Sequence, residues 1–119
     1  MIEDNQKDRL ITQLLRETLN NRIDWSVVEP PRTMVYATDK FVPLYLETNF
    51  NNTRLGIYEL RYRHFTDYDE FYWSETLGIC IVQYPDIVVW KIEEYSPALR
   101  ELFDLAREKA SGLGGLLNF

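Results

Sequence analysis

Cysteine and histidine are nearly missing from this chain, with one of each among 119 residues. A lone cysteine closes no internal disulfide, and it excludes a zinc site with two or more thiolate ligands. One histidine leaves little for a histidine-rich metal centre. No apolar run approaches the ~20 residues that span a bilayer. The first eight residues, Met-Ile-Glu-Asp-Asn-Gln-Lys-Asp, hold neither a signal-like apolar core nor a cleavage site. A cytoplasmic location is the expectation, and the free thiol agrees with a reducing compartment. Cations are also short: 13 Lys and Arg face 19 Asp and Glu, for a formal charge of -6. That balance disfavours non-specific nucleic-acid binding, which needs clustered Lys and Arg. There is no Gly-rich phosphate loop, nucleophile elbow or Walker-type motif. The glycines at 112, 114 and 115 follow a helical pattern rather than opening one. No cofactor or metal is expected.

Aromatic residues are abundant. Eight Tyr, six Phe and three Trp make 14% of the chain and are unevenly placed. With 45% hydrophobic and 27% charged residues the composition is globular. The length suits one domain over residues 1–119, large enough for a core without staples.

The opening segment carries Leu10, Ile11, Leu14, Leu15 and Leu19 at helical spacing, with charges on the other face. Asp4 or Asn5 suits its start, and Asn20-Asn21 suits a left-handed end. Ile23 and Trp25 are expected to fold back onto it. After Pro30-Pro31 the pattern turns to strands, over Thr33–Thr38, Phe41–Phe50, Thr53–Phe65, Phe71–Gln83 and Ile87–Ile92. Pro43 is compatible with a sheet edge. Asn51-Asn52 and Tyr84-Pro85-Asp86 read as turns. Short connections favour an antiparallel meander. Ser96 then caps a last helix, with Pro97 in its first turn and Leu99, Leu102, Phe103, Ala106 and Ala110 on one face. Gly112 suits a left-handed end, Leu113 a contact after it, and the apolar tail to Phe119 a docked segment. The fold class is α+β: an N-terminal helix, about five antiparallel strands and a C-terminal helix packed on the sheet.

The two longest strands define the central hairpin. Pairing Phe65 with Phe71 also sets Arg63 against Trp73, Arg61 against Glu75, Ile57 against Ile79, Leu55 against Ile81 and Gly56 against Cys80. One face is apolar far from the loop and charged-aromatic near it. The other holds Tyr58, Leu60, Tyr62 and His64, facing Gly78, Thr76, Ser74 and Tyr72. Either the sheet curves and the N-terminal helix covers this second face, or it is a Tyr-rich binding or dimer surface.

Glu59, Arg61, Arg63 and His64 contain the ingredients of metal-independent RNA cleavage: a base, an acid and a cation for the phosphorane. His64, however, points to the face opposite Arg61 and Arg63. Cross-strand ion pairs and an Arg63–Trp73 cation–π contact account for the same residues. Asp67, Asp69, Glu70 and Glu75 surround Tyr68 without the Gly or remaining ligands of a calcium loop. Cys80, inside an apolar run, reads as a small core residue.

The runs Asp69-Glu-Phe-Tyr-Trp-Ser-Glu75 and Leu15–Trp25 resemble stretches of small bacterial proteins, a resemblance that implies no activity. The favoured expectation is an acidic interaction module of immunity or antitoxin type, or a defence-system accessory. It would bind a protein partner through Tyr62, Asp67, Tyr68, Asp69, Glu70, Phe71, Tyr72, Trp73 and Glu75. A small nuclease, a small-ligand sensor and a homodimer are the alternatives.

Overall fold

The computed structural model describes residues 4–35 and 39–112. Helix α1 (Asp4–Leu19) is followed by strand β1 (Ser26–Val27), a short helix α2 (Arg32–Val35), strands β2 (Phe41–Phe50), β3 (Thr53–Phe65), β4 (Phe71–Gln83) and β5 (Ile87–Glu93), and helix α3 (Pro97–Ser111). The strands form one antiparallel sheet in the order β1-β2-β3-β4-β5. The expected α+β meander flanked by two helices is therefore what the chain forms. No helix among the described residues is long and apolar enough to cross a membrane.

Local chemistry sets the boundaries. α1 ends where Asn21 adopts φ 56°. There the Arg22 N–H reaches the Glu17 carbonyl (2.9 Å) and the Asn21 N–H reaches that of Thr18 (3.1 Å). This paired closure satisfies carbonyls that the helix leaves open, and Asn tolerates its left-handed backbone. Asn51 and Asn52, both with positive φ, turn β2 into β3. At the start of α3 the Ser96 hydroxyl accepts the Leu99 N–H (3.4 Å), Pro97 follows, and Gly112 closes the helix at φ 70°.

α1 and α3 lie on one sheet face. Ile11, Leu14 and Trp25 join Leu99, Leu102, Phe103 and Ala106 over Leu46, Leu55, Ile57, Leu77 and Ile79. Each fully buried aliphatic or aromatic side chain here contributes about 1.5–3 kcal/mol of transfer free energy. Polar atoms inside this layer are satisfied: the Trp25 Nε1–H donates to Thr18 Oγ1 (2.9 Å), and Thr18 donates to the Leu14 carbonyl (2.7 Å). Leu19, expected on the inner face of α1, is instead exposed beside the helix end.

The second face departs from the sequence expectations in two ways. Thr33–Val35 is helical, not extended, and the first strand is Ser26–Val27, which pairs with Glu47 and Leu46. The β-branched content of that run is overridden by a tertiary need. As a helical turn after Pro31 it drops Met34 into a small second core of Tyr45, Tyr58, Leu60, Cys80 and Val82. This face is thus covered by α2 rather than by the N-terminal helix, and Tyr58 and Leu60 are core residues. The remainder of the expected strand, 36–38, lies outside the described residues, as do Leu113 and the tail to Phe119.

Candidate functional site

The β3–β4 register agrees residue for residue with the pairing expected from the sequence, from Arg54 opposite Val82 to Phe65 opposite Phe71. The neighbouring strands are shorter. β2 starts at Phe41, opposite Arg61. β5 ends at Glu93, opposite Gly78, with one more bond from the Glu94 N–H to the Leu77 carbonyl (3.0 Å). Beyond these points, among the described residues, Tyr62–Phe65 and Phe71–Ser74 pair only with each other. The sheet therefore continues as a two-stranded ribbon. Its tip is tied by the Glu70 carbonyl, which accepts the Thr66 N–H (3.0 Å), while Asp67 Oδ1 accepts the Tyr68 N–H (2.7 Å).

Period-two alternation sorts the ribbon's side chains. On the helix-side face, Arg61 pairs with Glu75 (2.9 Å) and Arg63 with Asp39 (3.2 Å). The Arg63 guanidinium lies 5.8 Å from the Phe65 ring centroid and 5.5 Å from that of Phe71. The sequence points to Trp73 as its partner, but Trp73 instead meets Phe71 edge-on, at 6.1 Å. On the opposite face His64 tilts against Tyr72 at 4.9 Å. Tyr68 at the tip is 93% exposed and Trp73 58% exposed; Phe65, Phe71 and Tyr72 are exposed as well. Tyr62 is half-buried, because it packs against the second core. The expected partner-binding residues Tyr62, Asp67, Tyr68, Asp69, Glu70, Phe71, Tyr72, Trp73 and Glu75 all fall on this ribbon and its loop.

The four residues weighed for catalysis do not converge. Glu59 pairs with Arg107 of α3 (3.5 Å), Arg61 with Glu75 and Arg63 with Asp39, while His64 lies on the other face. Cys80 is buried, and burial pushes its thiol up to about 11 against smaller opposing effects of the Tyr45 hydroxyl and the Gly56 backbone. A thiol protonated at neutral pH is a poor nucleophile. Among the described residues no group of three or more His, Cys, Asp and Glu could hold a metal ion.

Beneath α2 lies an arrangement that reading the sequence missed. Tyr45 stands opposite Tyr58, and each ring lies flat over a glycine of the next strand, Tyr45 on Gly56 and Tyr58 on Gly78. The Tyr45 hydroxyl donates to Glu47 (3.0 Å), which is clamped by Arg54 (2.9 Å). The Tyr58 hydroxyl donates to Glu93 (2.7 Å), which also meets Lys40 (3.3 Å) and Lys91 (3.6 Å). Partial burial pushes the Glu93 carboxyl up, but the Tyr58 hydroxyl and the two lysines outweigh it and hold the group below its ordinary range. The available signal was glycine inside long strands, which marks close approach of another group. Among the described residues no buried side-chain nitrogen or oxygen lacks a hydrogen-bond partner, so these contacts hold the layer together.

No protein-family model, curated protein or solved structure matches the chain.

Proposed function

We propose that this protein is a non-enzymatic interaction module of the cytoplasm that engages a protein partner through the β3–β4 ribbon. One observation supports this reading above the others. Five exposed aromatic side chains, Phe65, Tyr68, Phe71, Tyr72 and Trp73, gather on a ribbon outside both hydrophobic cores. Exposed aromatic clusters cost solubility, and interface centres are where such residues are enriched. Asp67, Asp69 and Glu70 surround the tip and supply steering toward a basic partner. An immunity or antitoxin-like protein that occludes the basic cleft of a nuclease is the concrete version of this role.

The test is co-purification from the native cells. The double substitution Phe71→Ala/Trp73→Ala is expected to abolish recovery of the partner while leaving the unfolding midpoint in urea within experimental error. Undiminished recovery by that double variant would remove the ribbon from the role assigned to it.

A further inference from the structure

Among the described residues the ribbon carries an uncapped strand edge as well as side chains. The bond from the Glu94 N–H to the Leu77 carbonyl shows that the backbone of Leu77 points away from β3. Hydrogen-bonding direction alternates along an antiparallel strand, so the N–H and C=O groups of Glu75 and Trp73 point the same way. No strand of the described residues lies there, because β5 has ended. Proteins usually blunt such an edge with lysine, proline or a bulge. Phe71–Thr76 contains no lysine or proline, and its register with β3 runs without interruption. A depression of about 470 Å³ opens beside this edge, lined by Leu60, Tyr62 and Thr76 together with Glu75, Glu94 and the Lys40–Glu93 pair.

We infer that the outer edge of β4, from Phe71 to Thr76, accepts an extended peptide strand with a basic residue at the end that meets the β3–β4 loop. This rests on the interaction-module reading and names its mode of binding. Main-chain pairing supplies affinity in such strand addition, and alternate side chains supply specificity. Charge selects the occupant. Asp69 and Glu70 stand exposed at the loop end of the edge, whereas Glu75 is paired with Arg61 (2.9 Å) and Glu94 with Lys7. A second copy of this chain is a poor fit. Two-fold antiparallel pairing would run the loop of one copy into the end of β5 in the other, where β4 is already paired.

The probe is a fluorescein-labelled Lys-Val-Thr-Val-Thr-Val-Lys peptide, compared with a Glu-ended version and with one N-methylated at alternate amides. Fluorescence anisotropy should show saturable binding of the Lys-ended peptide and at least tenfold weaker binding of the other two. Glu75→Pro removes an outward N–H without touching the β3 ladder, and should also weaken binding at least tenfold. Glu75→Gln, which keeps the N–H, should lose less than threefold. Amide hydrogen exchange provides a second measurement in the unaltered protein. The Trp73 and Glu75 amides should exchange quickly when free, unlike those of Ser74 and Thr76, and should slow when the peptide is added. Equal binding of the N-methylated peptide, equal binding of the Glu-ended peptide, or unchanged exchange at Trp73 and Glu75 would overturn the inference. If Glu75→Pro still recovers the cellular partner while Phe71→Ala/Trp73→Ala does not, the edge fails and the ribbon surface stands. If the peptide binds as described but the double variant recovers the partner undiminished, the edge stands and the aromatic surface fails.

Discussion

Gly56 and Gly78 exist where they do because Tyr45 and Tyr58 lie across them. A methyl group on either glycine would overlap the phenol ring above it, and both rings are held by hydroxyl bonds to Glu47 and Glu93. Gly78→Ala is therefore expected to destabilise the fold by about 1–3 kcal/mol, the usual range for overpacking, measured by urea unfolding. Glu93 adds a pH dependence. Its carboxyl is held below its ordinary value in the folded protein, so its contribution is present above about pH 4.5 and is lost as pH falls through the folded value. Acidification from about pH 5 to 3 should cost the wild type more stability than Glu93→Gln. An equal or larger loss in the variant would contradict that sign. None of this layer is readable from the sequence without knowing which residues face each other. Two tyrosines, two glycines and two glutamates become a unit only through the register.

At the scale of elements, the parts governed by local chemistry can be read from the chain. Asn20-Asn21, Asn51-Asn52, Ser96-Pro97 and Gly112 sit at the predicted turns and caps, because their backbone geometry is a local preference. The hairpin register follows from alternation and one loop, and it agrees throughout. The failure at Thr33–Val35 has the opposite cause. The four residues of α2, Arg32–Val35, carry little local preference, and the burial of Met34 decides their conformation. The α3 cap offers a direct check: Ser96→Ala should lower stability by about 1 kcal/mol in urea unfolding, since the Leu99 N–H loses its acceptor. No change would mean that water serves that N–H equally well.

At the scale of the molecule, the described residues give the sheet two buried regions and one bare end. α1 and α3 seal one face, α2 seals part of the other, and the β3–β4 ribbon projects past both. The clustering of aromatic and acidic residues in Asp67–Glu75 is visible in the sequence. Its exposure is not, because exposure depends on where β2 and β5 stop. The overall charge of -6 likewise understates the local mixture, in which Arg61 and Arg63 are paired on the ribbon beside the acidic loop. The most direct test of the ribbon as the working surface is site-specific photo-crosslinking in native cells. A photoreactive residue is placed at Trp73 and, separately, at the exposed Thr12 on the outer side of α1. A discrete protein adduct from position 73, with none from position 12, is the expected result. Equal adducts at both positions, or an adduct from position 12 alone, would contradict the assignment of binding to the ribbon.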